Sequence, residues 1–140
     1  MAPESRRLAG ILLILVPAVA FGGASLLSMI LGQVPGYLDN PLRQDLWRAG
    51  HAHAGVMLIL ALVMLRYVDE TNLSGAWLSL ARHGVPLAAI LMPAGFFLSV
   101  LSPEATEPNP LIYLVFAGGF FLVGGVLTLG VGLIRSPRGA

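Results

Sequence analysis

The sequence predicts an all-α integral membrane protein, a bundle of four transmembrane helices in one domain. Hydrophobic residues make up 56% of the 140 residues, and charged residues make up only 11%. Four long apolar stretches follow one another along the chain, at residues 8–31, 49–67, 78–101 and 111–134. Each is close to or above the ~20 residues that a helix needs to cross ~30 Å of hydrocarbon. We therefore expect residues 1–140 to form a single domain in the lipid bilayer.

The first stretch, residues 8–31, is predicted to be a transmembrane helix rather than a signal peptide. Its apolar part is longer than the roughly 7–15 residues of a signal-peptide core, and no small-residue cleavage motif follows it. Ala20, Ala24 and Ser28 are spaced four residues apart on it. Because small residues let helices in lipid approach closely, we expect this face to contact another helix, within the chain or in an oligomer.

The other three stretches are separated by segments with turn and breaker residues. The segment GQVPGYLDNPLRQDLW is rich in Gly, Pro, Asn and Asp, so we expect a connector here and a second helix that begins at residue 49. Charged residues in RYVDETNLSG end the second helix, and prolines in SPEATEPNP separate the third from the fourth. On the fourth helix, Gly124, Thr128 and Gly132 repeat the spacing of small residues.

The arginines predict the orientation of the helices, because short cytoplasmic loops carry an excess of Lys and Arg. In an alternating four-helix topology, six of the eight basic residues fall on one side and two on the other. The larger group is Arg6, Arg7, Arg66, Arg82, Arg135 and Arg138, and the smaller group is Arg43 and Arg48. We expect both termini to be cytoplasmic and the protein to lie in the cytoplasmic (inner) membrane of a bacterium.

The composition also argues against several classes of partner and cofactor. The net charge is +1, which gives no electrostatic reason to expect a nucleic-acid partner. The chain has no cysteine, so disulfides, thiolate metal sites and iron–sulfur clusters are excluded.

The segment RAGHAHAGVML places two histidines at the start of the second apolar stretch. His53 shares a helix face with Met57 and Met64, because spacings of four and eleven residues return to nearly the same angle at ~3.6 residues per turn. His51 lies about 200° round from His53, so the two chelate one ion only if the helix is distorted. An ionisable group inside the membrane is by default a functional hypothesis. His83 is predicted to lie at the opposite membrane face and is interpreted as an interfacial residue.

The segment AHAGVMLILALVML resembles the second transmembrane helix of subunit I of the haem-copper oxidases. The preceding segment GASLLSMILGQVPGYLDN resembles the end of that subunit's first helix and the turn after it, and ILMPAGFFLSVLSPEA is similar to its third. The resemblance implies that His53 is an axial ligand of a low-spin haem. The family's catalytic subunit has about three times as many helices, and those absent here carry its other metal ligands. We therefore expect haem binding without oxygen reduction or proton pumping.

The leading hypothesis is a haem-binding membrane protein that serves in electron transfer or in gas or redox sensing, with b-type haem on His53. The sixth ligand could come from His53 of a second copy in a symmetric dimer, from Met57, from His51 on a distorted turn, or from a gas. Arg43 and Arg48 are candidates to pair with the haem propionates, since Arg binds carboxylates in bidentate fashion. A respiratory-chain component is a possible partner, and a homo-oligomer is expected.

Three alternatives to haem binding stay open at this point. Copper(I) accepts imidazole and thioether ligands, so His51, His53 and Met57 form a candidate copper site. The chain also resembles the trimeric membrane-associated eicosanoid and glutathione metabolism proteins in its length and its Arg-x-x-His start of the second helix, but Ala, Gly and Val stand where those proteins carry Asn and Glu. Lastly, a cofactor-free accessory or assembly subunit of a larger membrane complex would use its small-residue faces as binding surfaces.

Overall fold

The computed structural model describes residues 1–136, which form four long α-helices and no β-strand. The helices are α1 (Pro3–Leu31), α2 (Pro41–Tyr67), α3 (Gly75–Leu98) and α4 (Tyr113–Arg135), with short 3₁₀ turns at Val68–Glu70 and Pro110–Ile112. All four helices are long and apolar enough to cross a membrane. The predicted all-α class and the four helices are confirmed. Arg138, which entered the orientation argument, lies outside the described residues.

The second helix begins at Pro41, so the prediction of a connector up to Trp47 is wrong. The Asn40 side chain accepts a hydrogen bond from the backbone N–H of Arg43 at 3.1 Å, and Pro41 occupies the first turn. Asn at the cap and Pro in the first turn form a strong helix start, because they satisfy or remove N–H groups that lack helical partners. Arg43, Asp45 and Arg48 therefore lie on the first turns of α2 rather than in a loop.

The other boundaries differ from the predictions by smaller amounts. Helix α1 begins at Pro3 rather than at residue 8, and α3 spans Gly75–Leu98 rather than residues 78–101. The chain leaves α3 early because the carbonyl oxygens that follow it have other partners. The Ser99 carbonyl accepts a hydrogen bond from the backbone N–H of Asn109 at 2.8 Å, and the next two carbonyls accept hydrogen bonds from Arg43.

Helices α3 and α4 pack with their backbones in close contact. A Cβ atom added to Gly84 would lie 2.7 Å from the Phe121 carbonyl oxygen and 3.0 Å from Cα of Gly125. Gly118 likewise lies against the backbone of Met92. Small residues let the two helices approach, as expected for helices in lipid.

The two predicted small-residue faces have different surroundings. On α4, Gly132 is buried against Leu73. On α1, Ala20, Ala24 and Ser28 are exposed on the surface of the single chain.

The apolar core lies between α2 and α3 and is extended by parts of α1 and α4. Helix α1 adds one buried core side chain, Leu12, and is otherwise mostly exposed. The buried members of the core are Leu12, Met57, Leu58, Ala61, Met64, Leu65, Val68, Ala81, Val85, Ala88, Met92 and Leu129.

Polar contacts connect the elements at each end of the bundle. At the end that holds the start of α1 and the last turn of α4, called the Asp69 end, the Asp69 carboxylate accepts hydrogen bonds from the backbone N–H of Ala2 at 2.6 Å and from the Ser5 hydroxyl at 3.1 Å. Arg82 of α3 donates to both Asp69 and Ser5 at 3.1 Å. The opposite end, with residues 32–40 and 99–109, is called the Arg43 end. The hydrogen bonds at the Asp69 end fix the start of α1 to the α2–α3 connection and to α3.

Candidate functional site

His53 lies in the fourth turn of α2 with one ring nitrogen hydrogen-bonded to the backbone. Its Nδ1 atom is 2.7 Å from the carbonyl oxygen of Ala49, four residues earlier. Because a carbonyl oxygen only accepts, Nδ1 carries the proton, and Nε2 is the nitrogen with the lone pair. Metal-bound histidines commonly have this arrangement, with one nitrogen donating to a carbonyl and the other facing the metal.

The His53 ring is half-buried at the boundary between α2 and α3. It lies against the ring of Phe96, with 5.0 Å between the ring centroids. Phe96 was not singled out from the sequence, because only the packing of α3 on α2 brings it to this histidine.

His83 provides an internal comparison for His53. Its Nδ1 atom is 3.1 Å from the carbonyl oxygen of Ser79, again four residues earlier, but its ring is exposed. The bond to the preceding turn is therefore a common solution for a histidine on these helices. What distinguishes His53 is its half-buried position beside an aromatic ring.

His51 faces α1, on the other side of α2. A Cβ atom added to Gly23 would lie 2.9 Å from both Cε1 and Nε2 of the His51 ring, and one added to Gly22 would lie 3.7 Å from Nδ1. Gly23 thus makes room for the imidazole, whereas a side chain at Gly22 would be in ordinary contact with it. Since α2 is helical through both histidines, His51 and His53 lie on different faces, as predicted from the spacing.

A large apolar cleft of about 690 Å³ lies between α1 and α3, with α2 as its floor. His51 and Phe97 are among its lining residues, together with Ser79 and His83, and His53 is not. The remaining walls are aliphatic, from side chains such as Leu12, Leu15 and Ile90. The cleft is large enough for a prosthetic group or a lipid chain, since such sites commonly measure ~300–1,000 Å³. The edge of the His51 ring lies close to Gly23 of α1, on the α1 side of the cleft.

Arg43 is buried at its own end of the bundle, with 7% of its surface exposed. Its Nε donates to the carbonyl of Val100 at 3.0 Å and its Nη2 to that of Leu101 at 3.2 Å, while Nη1 donates to the carbonyl of Gly36. The guanidinium carbon also lies 4.3 Å from the centre of the Trp47 ring. These contacts occupy the guanidinium and join both connections of this end to α2.

The other candidate residues are divided between surface and core. Arg48 is exposed and forms an ion pair with Asp45 at 2.8 Å. Met57 is 6% exposed and belongs to the hydrophobic core, so its sulfur is not on the surface with His53. Of the five predicted haem residues, Arg48 is exposed, His51 and His53 are half-buried on different faces of α2, and Arg43 and Met57 are buried.

Within residues 1–136, no three side chains of His, Asp or Glu come together as a metal site. No family model, curated protein or solved structure matches this chain.

Proposed function

We propose that this chain is a haem-binding membrane protein in which His53 is an axial ligand of a b-type haem. The proposal depends on one observation above the others, the half-buried position of the His53 ring against Phe96, where the hydrogen bond from Nδ1 to the Ala49 carbonyl at 2.7 Å orients it. This bond selects the tautomer whose Nε2 can bind iron, and it fixes the plane of the ring.

The surroundings of His53 fit a flat apolar group with acidic substituents. The Phe96 ring, 5.0 Å away, provides an aromatic wall beside the imidazole. Arg48 is exposed near the same end of α2, about 140° round the helix from His53, and its guanidinium already pairs with a carboxylate, that of Asp45. Arg43 has a structural role instead, because its donors are occupied by carbonyl oxygens.

We propose further that two copies of the chain share the haem. His53 does not line the large cleft, and its ring is half-buried, so one copy covers a haem on His53 from one side. A second copy related by a twofold axis supplies both the missing wall and a second His53. A haem with two such ligands supplies one-electron transfer, which makes a respiratory-chain component the expected partner. The proposed location is the cytoplasmic membrane, with both termini in the cytoplasm.

Visible spectroscopy of the full chain, expressed with haem supplied and purified in detergent, tests the proposal. We expect sharp α and β bands of a low-spin haem after reduction with dithionite, and one haem for every two chains. The bands should be lost in His53→Ala. They should persist in His83→Ala, a matched control because His83 forms the same bond to the preceding turn.

Three other outcomes would each contradict a different part of the proposal. A colourless wild type contradicts haem binding and favours the accessory-subunit alternative. Loss of the haem in His51→Ala but not in His53→Ala contradicts the choice of ligand and favours the α1–α3 cleft. One haem per chain contradicts the shared site.

A further inference from the structure

A second groove lies at the Asp69 end, between the start of α3 and the end of α4. It has a volume of about 340 Å³ and is lined by Leu73, Trp77, Leu127, Thr128, Val131 and Arg135. A smaller neighbouring cavity shares Leu73, Val131 and Arg135 and adds Asn72, Gly132 and Ser136. The groove, called here the Arg135 groove, is thus apolar along the helices and polar at its end.

The charge of this groove comes from Arg135. Among residues 1–136 this arginine has no salt bridge, whereas Arg82 pairs with Asp69 at 3.1 Å and Arg66 pairs with Glu70. Arg135 is exposed in the last turn of α4. Its guanidinium therefore has donors available for an anion at the mouth of an apolar groove.

Trp77 places the groove at the boundary between hydrocarbon and water. This residue is 64% exposed, and it lies in the first turn of α3. Tryptophan is enriched at this depth because its ring is apolar while its N–H is polar. An occupant that suits the groove has a hydrocarbon chain beside Leu127 and Val131 and an anionic head at Arg135.

We propose that the Arg135 groove binds one anionic phospholipid, with an acyl chain along α4 and the phosphate at Arg135. A zwitterionic phospholipid carries its own cation beside the phosphate, so Arg135 favours a lipid with net negative charge. Basic pockets between transmembrane helices are recognised sites for such headgroups. The inference uses residues remote from His53 and does not depend on haem binding.

Quenching of Trp77 fluorescence by lipids with brominated acyl chains tests this site directly. The full chain is reconstituted in phosphatidylcholine vesicles with rising fractions of brominated phosphatidylglycerol or of brominated phosphatidylcholine. We expect half-maximal quenching at about a fivefold lower fraction of the anionic lipid, the preference that one arginine near a membrane surface provides. The preference should disappear in Arg135→Gln and remain in Arg66→Gln, which removes the same charge from the same end of the bundle.

Two further controls locate the signal. Since the chain has two tryptophans, the preference should also disappear in Trp77→Phe, which leaves only Trp47 at the opposite end. Equal quenching by both lipids overturns the proposal, as does equal loss in Arg66→Gln and Arg135→Gln, which indicates general surface charge. Abolition of the preference by inorganic phosphate in the buffer also overturns it, because the site would then select the free anion.

Discussion

The Arg43 guanidinium connects backbone segments that are distant in sequence. Its three nitrogen atoms donate to carbonyl oxygens of Gly36, Val100 and Leu101, on the two connections of the Arg43 end. A hydrogen bond from a charged donor contributes more than a neutral one, and a buried acceptor that loses its donor is costly. Arg43 therefore holds these carbonyls at a boundary where α3 has already ended.

We expect Arg43→Met to lower the free energy of unfolding by about 2–4 kcal/mol, because it leaves the buried Val100 carbonyl and the partly buried carbonyls of Gly36 and Leu101 without their donor. The measurement is denaturant unfolding of the detergent-solubilised protein, followed by circular dichroism. Arg48→Met is the matched control, since Arg48 is exposed and pairs only with Asp45. That change should cost no more than about 0.5 kcal/mol. Equal stability of the two variants would contradict the structural role of Arg43.

At the residue scale, local spacing predicted the faces of helices but not long-range partners. The opposite placement of His51 and His53 followed from helix periodicity, and it is found in α2. The burial of Arg43 was not predicted, because its acceptors come from residues 36, 100 and 101. The haem-ligand role of His53 stays a prediction. It rests on a resemblance, on the half-buried position of the ring beside Phe96 and on the bond to Ala49.

At the scale of elements, α3 and α4 form the closest helix pair, and glycine makes this contact possible. Gly84 faces the α4 backbone at a distance that leaves no room for a methyl group. We expect Gly84→Ala to destabilise the protein by about 1–3 kcal/mol, because the helices must separate or shift to admit the added carbon. The same unfolding measurement applies.

Gly119→Ala on α4 is the control for Gly84→Ala. No atom lies within 4 Å of a Cβ added at Gly119, so this change adds a methyl group without a clash. Its effect should stay within about 1 kcal/mol, in the stabilising direction, because alanine favours the helical backbone. If Gly84→Ala were equally harmless, the close approach of α3 and α4 would be wrong.

The elements were predicted more completely than their ends. Apolar stretches of near-membrane length located all four helices, whereas α2 begins at Pro41 and not at residue 49. Hydropathy missed this part because the first turns of α2 carry Arg43, Asp45 and Arg48. The start signal was present in the sequence as Asn40 and Pro41, an N-cap and a first-turn proline.

At the scale of the whole molecule, the two ends of the bundle differ in exposed basic charge. The Arg43 end has two arginines, and the buried Arg43 is directed at protein carbonyls, so Arg48 is the exposed one. The Asp69 end carries the other arginines of the described residues, Arg6, Arg7, Arg66, Arg82 and Arg135. Arg82 is largely enclosed in its ion pair with Asp69, so the exposed arginines of the described residues number four at the Asp69 end and one at the Arg43 end, an asymmetry in the direction that predicts cytoplasmic termini.

The absence of native cysteine makes this orientation directly measurable, because each introduced thiol is the only one in the chain. Glu104 lies in the connection between α3 and α4, Glu4 lies near the start of α1, and both are exposed. We expect a membrane-impermeant maleimide to label Glu104→Cys in cells whose outer membrane alone is permeable, and to label Glu4→Cys only after the inner membrane is opened. Glu70→Cys, at the Asp69 end, should behave as Glu4→Cys does. The reverse pattern would place the termini outside the cytoplasm and put the Arg135 groove in the opposite leaflet, and labelling of all three in intact spheroplasts would contradict a membrane-spanning bundle.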